Sequence, residues 1–307
     1  METILVTGVA GFIGAHLARR LSEEGFQVIG IDDLSSGNED MIPTSIEFIK
    51  LDLSGKKIES KLPNKVQKIV HLAGQSSGEI SFDNPVIDLK KNTVSTLNLL
   101  NFARRENIER FVYASSMSVY GDTTNLPVDE NELCLPTSCY GVGKLASEGY
   151  LRLFSDEVPY VVLRLFNVYG PNQDLDNLRQ GMISIYLSQA LKTKKIIVKG
   201  SLDRFRDFIY IDDVINGILL AINEENAKND IFNLGTGKQT TVKEVLNVLD
   251  DVFGNLEIIS SDPTPGDQFG IYADISKIKT KLGFIPDISF ESGLKSLINW
   301  AIKNENN

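Results

Sequence analysis

Thr3-Ile4-Leu5-Val6-Thr7-Gly8-Val9-Ala10-Gly11-Phe12-Ile13-Gly14 decides the fold of this chain. A β-branched run enters three glycines spaced G-x-x-G-x-x-G. Phe12, Ile13, Leu17 and Leu21 then recur at helical spacing, and Gly25 stands where a glycine ends a helix. A strand, a glycine turn and a helix in this order aim backbone N–H groups at an anion, and glycine lets the chain approach a pyrophosphate closely. The spacing is a variant of the G-x-G-x-x-G dinucleotide fingerprint, so the loop alone is a weak signal. Asp32 strengthens it. Asp32 follows a second strand expected over Gln27 to Ile31, 18 residues after Gly14. A carboxylate there accepts both hydroxyls of an adenosine ribose and repels a 2′-phosphate, which favours NAD over NADP. Gly8, Gly11, Phe12, Ile13, Gly14 and Asp32 are the expected cofactor contacts; Asp33 can share the role of Asp32, and Asp52-Leu53, ending the next strand, can flank the adenine.

Outward from this stretch, strand and helix alternate. Apolar runs at Ile46 to Ile49, Ile69 to Leu72, Phe111 to Ala114 and Tyr160 to Leu165 are separated by helical patterns that include Thr93 to Arg105 and Gly141 to Phe154. Such alternation means βαβ units, a parallel sheet and right-handed crossovers. After Asn167 the rhythm changes. A polar loop (Pro171 to Asn177) leads to a helix over Gly181 to Leu191 and a strand over Ile196 to Lys199. Asp207 to Ile211 and Asp230 to Leu234 read as strands that return to the first sheet. The expected organisation is interleaved: residues 1–166 with about 207–236 form one domain, and residues 167–206 with about 237–307 form a smaller, discontinuous one.

The 307 residues carry 31 Lys+Arg against 41 Asp+Glu, a net charge of -10, which argues against nucleic acid as a partner because polyanions repel an acidic field. A 42% apolar and 23% charged composition is that of a soluble globular protein. Cys134 and Cys139 are too few for a disulfide scaffold, and His16 and His71 cannot build an all-histidine zinc site. No metal is expected. The chain starts directly in a strand, and its most apolar stretch, Val214 to Ile222, is interrupted by Asn216 and Gly217 and is too short to span a bilayer. A cytoplasmic protein without membrane association is expected.

Tyr140-Gly141-Val142-Gly143-Lys144 places a phenol and an ammonium on one helix face. A phenol near pKa 10 must fall by roughly 3 units, about 4 kcal/mol, to act as a base near pH 7. A neighbouring lysine cation and the positive nicotinamide of NAD⁺ both act in that direction. Tyr-x-x-x-Lys is common by chance, and its bland reading is a surface pair. Ser116, 24 residues upstream at the end of a strand, adds a hydroxyl able to bond a reacting oxygen. Joined to the glycine loop and Asp32, the catalytic reading wins.

With these motifs the sequence resembles, across almost its whole length, the extended short-chain dehydrogenases/reductases of the nucleotide-sugar epimerase/dehydratase group. Thr7 to Gly14 matches the group's cofactor motif, and His71-Leu72-Ala73-Gly74-Gln75 resembles its HLAAQ strand end. Asn92 falls at its N-x-x-x-T-x-N-L-L asparagine, while Ser116, Tyr140 and Lys144 match its catalytic trio. Arg164 to Pro171 matches R-x-x-N-V-Y-G-P, and Arg206 to Val214 matches R-D-F-I-Y-V-D-D-V. The resemblance implies an α/β Rossmann-type doubly wound parallel sheet with a C-terminal substrate domain, bound NAD and a nucleoside-diphosphate sugar as substrate. Leu72, Ala73 and Asn92 join the expected cofactor contacts, with Tyr140 and Lys144. A homodimer through helices near Asn92 to Arg105 and Gly141 to Phe154 is also implied.

The resemblance also bears on the reaction. Related 4,6-dehydratases carry Asp-Glu after the hydroxyl residue, decarboxylating members a glutamate, and members that epimerise beside a carbonyl a cysteine. Here Met117 and Ser118 stand in that turn, and neither ionises usefully. A 4-epimerase is left, and the resemblance implies a substrate of UDP-hexose or UDP-hexuronate type. An NAD-dependent 4-dehydrogenase or 4-keto reductase is the nearest alternative, and a non-catalytic NAD-binding sensor or scaffold an alternative of another class. The implied substrate contacts are Ser116, Ser118, Asn167, the Asn177-Leu178 turn, Asp267 and the diphosphate arginine Arg206. A second diphosphate arginine is replaced here by Thr264, and Arg179 or Arg204 is the expected substitute. Residues 159–206, with eight Lys/Arg against three Asp, form the basic stretch expected to receive the diphosphate. Ile271 aligns with the residue that admits or refuses an N-acetyl group and, being intermediate in bulk, favours neither.

Overall fold

The computed structural model describes residues 2–179, 181–262 and 269–305. Six strands of the N-terminal half are β1 (Thr3–Thr7), β2 (Gln27–Asp32), β3 (Glu47–Lys50), β4 (Lys68–His71), β5 (Arg110–Ser116) and β6 (Tyr160–Leu165). β7 (Asn167–Tyr169), β8 (Lys195–Lys199), β9 (Phe205–Arg206) and β10 (Phe208–Tyr210) follow, then β11 (Asp230–Leu234), β12 (Thr240–Thr241), β13 (Glu257–Ser261) and β14 (Gly270–Ile271). The helices are α1 (Phe12–Glu23), α2 (Pro85–Leu89), α3 (Ser95–Glu106), α4 (Cys139–Leu153), α5 (Met182–Thr193), α6 (Ile211–Asn223), α7 (Val242–Phe253), α8 (Ser276–Leu282) and α9 (Phe290–Glu305). The main sheet has seven parallel strands in the order β11-β6-β5-β4-β1-β2-β3. The order reverses beside β1, so the crevice at the carboxyl ends of β1 and β4 is where such a sheet binds ligands.

Strand periodicity explains the layering. Ile4 and Val6 of β1 face one core with Leu17 and Leu21 of α1 and Ile218 and Ile222 of α6. Leu5, between them, faces the opposite core with Leu99 and Phe102 of α3 and Leu151 of α4. A strand buried on both sides reads as an unbroken apolar run, as β1 does. Gly25, at φ 87°, follows α1 as expected of a helix-ending glycine.

One returning strand is where the sequence places it and the other is not. Asp230–Leu234 pairs in parallel with β6 and closes the sheet edge. Phe208–Tyr210, expected in the same sheet, pairs instead with Asn167–Tyr169 in a separate two-stranded ribbon. The edge of β6 is already taken by β11, and the chain leaving β6 through Asn167 offers the next free backbone. Asp207 then anchors the crossing. Its buried carboxylate accepts from Thr236 N and Oγ1, Gly237 N and Ala273 N, at 2.8, 2.6, 2.9 and 3.2 Å. The helical pattern at Thr93 begins earlier than expected, with a π turn over Lys90–Val94 leading into α3. Two small sheets, β12-β9-β14 and β13-β8, lie beyond the main one.

Candidate active site

A continuous cavity of about 580 Å³ runs along the carboxyl ends of β1, β2, β4 and β5. At one end it is lined by Gly8, Gly11, Phe12, Ile13 and Gly14. Gly8 sits at φ +73°, and a Cβ on Gly14 would lie 2.0 Å from the Gly8 carbonyl oxygen, so the turn closes only with hydrogen at that place. No side chain caps α1 at Gly11, which leaves its first N–H groups to an anion. Asp32 ends β2 beside the loop, its two oxygens accepting from Ala10 N at 3.0 Å and Leu34 N at 2.8 Å. Those bonds aim the carboxylate and leave lone pairs toward the cavity. Asp33 and Leu53 also line this end, and Leu72 and Ala73 follow β4 along its floor.

Two expected contacts stand back from it. Asp52 is drawn aside by Ser54 and by Lys91, whose Nζ lies 3.0 Å from Asp52 and also pairs with Asp33. Asn92 is 1% exposed and lies behind Gly74 rather than in the cavity wall. Lys91, which lines the cavity, was not singled out from sequence; an isolated lysine beside Asn92 carries no signal until β2 and β3 bring both carboxylates to it.

Ser116, Tyr140 and Lys144 line the other end. β5 delivers Ser116, whose hydroxyl is 3.2 Å from both Ser118 N and Ser118 Oγ. Ser138 caps α4 by accepting from Gly141 N at 3.1 Å, which fixes where the helix starts and turns Tyr140 and Lys144 inward. Lys144 Nζ donates to Ala114 O at 2.8 Å and stands 5.0 Å from the Tyr113 ring centre and 5.7 Å from that of Tyr140. Burial pushes the Tyr140 phenol up to about 12, against a downward pull from hydrogen bonding to Ser116. Burial draws Lys144 down to about 8. The sequence suggests that lysine lowers the phenol; in this arrangement desolvation, with the nearby Asp88 charge, raises it, and the downward pull comes from Ser116.

The substrate side differs most from expectation. Ser118 and Asn167 line the cavity, and the Asn167 amide donates to Met117 Sδ at 3.5 Å and Asp207 O at 3.3 Å. Asn177 and Leu178 lie outside its lining, with Leu178 exposed. Arg179 also points away: it meets Glu79 at 2.9 Å and Asp83 at 2.6 Å on the surface. The basic stretch 159–206 is largely spent in the same manner. Arg164 pairs with Glu148, Lys192 with Asp176 and Lys195 with Glu257. Arg204 and Arg206 are buried together off the cavity lining, and burial followed by the neighbouring Arg204 lowers Arg206 to about 10. Thr264 and Asp267 lie outside the described residues. Gln75, Gln173 and Phe208 complete the wall; Gln75 and Phe208 fall inside quoted motifs but none of the three is given a site role from sequence, because only the fold assembles their three separate segments.

The sequence matches the model of the NAD dependent epimerase/dehydratase family over residues 4–235. A Methanocaldococcus jannaschii protein provisionally named a UDP-glucose 4-epimerase is 39% identical over 99% of both chains. Among solved structures, UDP-glucose 4-epimerase from Thermotoga maritima with UDP-glucose has a TM-score of 0.95 at 34% identity, covering 99% of this chain and 100% of that one. UDP-glucuronic acid 4-epimerase from Bacillus cereus, in complex with UDP-glucuronic acid and NAD, has a TM-score of 0.90 at 28% identity, with 99% and 100% covered.

Proposed function

We propose a reaction for this chain, which belongs to the NAD dependent epimerase/dehydratase family: reversible inversion at C4 of a nucleoside-diphosphate sugar, of UDP-hexose or UDP-hexuronate type. One observation carries the reading. The glycine loop with Asp32 and the set Ser116, Tyr140 and Lys144 occupy opposite ends of one continuous cavity. The first end fits a dinucleotide, since the cradle around Gly8 and Gly14 admits no side chain and Asp32 presents acceptors for ribose hydroxyls. NAD bound there supplies a hydride acceptor that returns what it takes. Tyr140 Oη takes and returns the proton of the C4 hydroxyl, Ser116 Oγ hydrogen-bonds the same oxygen, and Lys144 supplies positive charge that favours the phenolate. Met117 offers a thioether where an acid or base would be needed to eliminate water, so the keto sugar keeps its substituents.

Arg206, at the position of the group's diphosphate arginine, is the proposed diphosphate contact, with Arg204 buried beside it. Residues 167–206 and 237–307 would then form the substrate domain over the dinucleotide-binding sheet. A homodimer is part of the proposal. Val142, Tyr150 and Leu153 of α4 are 53%, 36% and 73% exposed and fall on one helix face with Ala146, an apolar stripe suited to a second copy. Among the described residues no helix is long and apolar enough to cross a membrane. The unpaired thiols of Cys134 and Cys139 support a cytoplasmic setting, and sugar nucleotides of this kind suit polysaccharide biosynthesis.

The test is NMR of UDP-glucose and UDP-glucuronic acid incubated with the protein and NAD. Equilibration at C4 without net NADH supports the reading. Stoichiometric NADH formation would convert it to the dehydrogenase, and bound NAD with no turnover of any nucleotide sugar would leave the scaffold.

A further inference from the structure

Behind the cavity wall lies a second polar cluster. Asp88 of α2 and Asn92 of the π turn are four residues apart, and their segment packs on α4 beside Gly143. Asp88 is 2% exposed and Asn92 1%. Asn92 Nδ2 donates to Asp88 Oδ1 at 3.1 Å, whereas Asp88 Oδ2 and Asn92 Oδ1 are buried with no hydrogen-bond partner. A buried carboxylate without compensation is costly, so these oxygens call for a charge. Two glycines open the way to one. A Cβ on Gly143 would lie 3.3 Å from Asn92 Cβ and 3.6 Å from Asp88 Oδ2. One on Gly74 would lie 2.5 Å from Asn92 Oδ1 and 3.8 Å from Lys144 Nζ.

The groups facing Lys144 come from three other elements and its own. His71 of β4 is fully buried between Thr7 and Thr96 hydroxyls, and burial with the nearby Lys144 lowers it to about 3, so it stays neutral. Tyr113 of β5 offers its ring face. On α4, Tyr140 shares the cavity, and Glu148 already holds Arg164 with one oxygen at 3.1 Å and the other at 2.8 Å. Asp88, from α2, is the carboxylate left; it acts on Lys144 through space rather than in a contact ion pair, and its charge also raises the Tyr140 phenol, so its help to the reaction must come through Lys144.

We propose that Asp88 is a positioning residue for the reaction: its buried carboxylate, oriented by Asn92, is the counter-charge that keeps Lys144 an ammonium beside Tyr140. The inference rests on the proposed function, in which Lys144 works as a cation. Charge balance agrees with the geometry. Burial lowers Lys144 to about 8, and Asp88 and Glu148 are the groups that raise it. Burial raises Asp88 to about 6 against the pull of Asn92 and Lys144. Carboxylate and ammonium therefore coexist between about pH 6 and about pH 8; below that window Asp88 takes a proton, and above it Lys144 loses one.

The experiment measures NAD affinity by calorimetry and kcat/KM, both from about pH 5 to about pH 9, for the wild type, Asp88→Asn, Lys144→Met and the double variant. Asp88→Asn is expected to move the alkaline fall of both quantities down by about one pH unit and to abolish the acid fall near pH 6. It should add nothing in the Lys144→Met background. If Asp88→Asn fails to fold, Asp88→Glu, which keeps the charge, must retain the wild-type alkaline limb. An alkaline limb unmoved in Asp88→Asn, or an equal effect of that substitution with and without Lys144, overturns the inference while leaving the proposed function standing. Wild-type protein that binds no NAD overturns both.

Discussion

Tyr140 and Lys144 sit four residues apart with only glycine, valine and glycine between them, and what each does follows from how little water reaches it. Burial holds the phenol near 12 and the lysine near 8, so neither is poised as it stands. A bound cationic ring and a sugar hydroxyl would replace that missing polarity, which is why the phenol is ready only in the loaded site. Tyr140→Phe removes the proton carrier and no packing atom. Its kcat should fall by roughly 10³-fold with NAD affinity within about threefold of wild type, measured by NMR turnover and calorimetry. A variant retaining more than a tenth of wild-type kcat would remove Tyr140 from the reaction. Asp207 matters at the same scale for a different reason. Four donors converge on its carboxylate, and Asp207→Ala would leave them buried and unpaired. A loss of about 3 kcal/mol or more is expected in urea unfolding, and a change below 1 kcal/mol would mean that water replaces the carboxylate at little cost.

Elements were legible in the sequence wherever local chemistry set them. The strand–glycine–helix stretch, the helix carrying Tyr140 and the strand ending at Ser116 need only their own residues to be read. Elements failed to be legible where long-range partners chose the outcome. Phe208–Tyr210 is a good strand by composition, but which edge it joins depends on β11 occupying the edge of β6. Arg179 reads as a free cation in its loop, yet its carboxylate partners Glu79 and Asp83 are 100 and 96 residues away. Two predictions belong to elements. Gly14→Ala would force a methyl to 2.0 Å from the Gly8 carbonyl and push the start of α1 off the turn. NAD affinity should fall more than about tenfold, with a stability loss of about 1–3 kcal/mol by urea unfolding; unchanged affinity would show that the turn can relax. Arg179→Ala should leave substrate KM within about twofold, because its guanidinium is engaged on an exposed ion pair, where such pairs are worth little. Arg206→Ala should raise KM by about tenfold or more if the diphosphate lies there. The reverse order would return Arg179 to the substrate.

At the scale of the whole molecule, one face of the sheet assembly is left apolar. α4 spends its inner face on the cavity and on the buried Glu148–Arg164 pair, both of which fix its rotation about its own axis. That rotation is what turns Val142, Ala146, Tyr150 and Leu153 outward together. Phe82, Val86 and Leu89, on the neighbouring segment that leads into α3, are 55%, 61% and 49% exposed and extend the same unsatisfied surface. A two-fold axis across α4 would bury the patch against its own copy, since an isologous interface needs only one self-complementary surface. The acidic chain, at a net charge of -10, would repel its copy elsewhere, so the proposed association would depend on this apolar area. Val142→Glu with Leu153→Glu places four carboxylates in the paired interface. Light scattering should then report a monomer at concentrations where the wild type is a dimer, with the dissociation constant raised more than about 100-fold. The cavity lies behind α4 and α2, so the monomer should still bind NAD but lose turnover as those helices loosen. A wild type that scatters as a monomer, or a double variant that remains dimeric, would move the interface off α4.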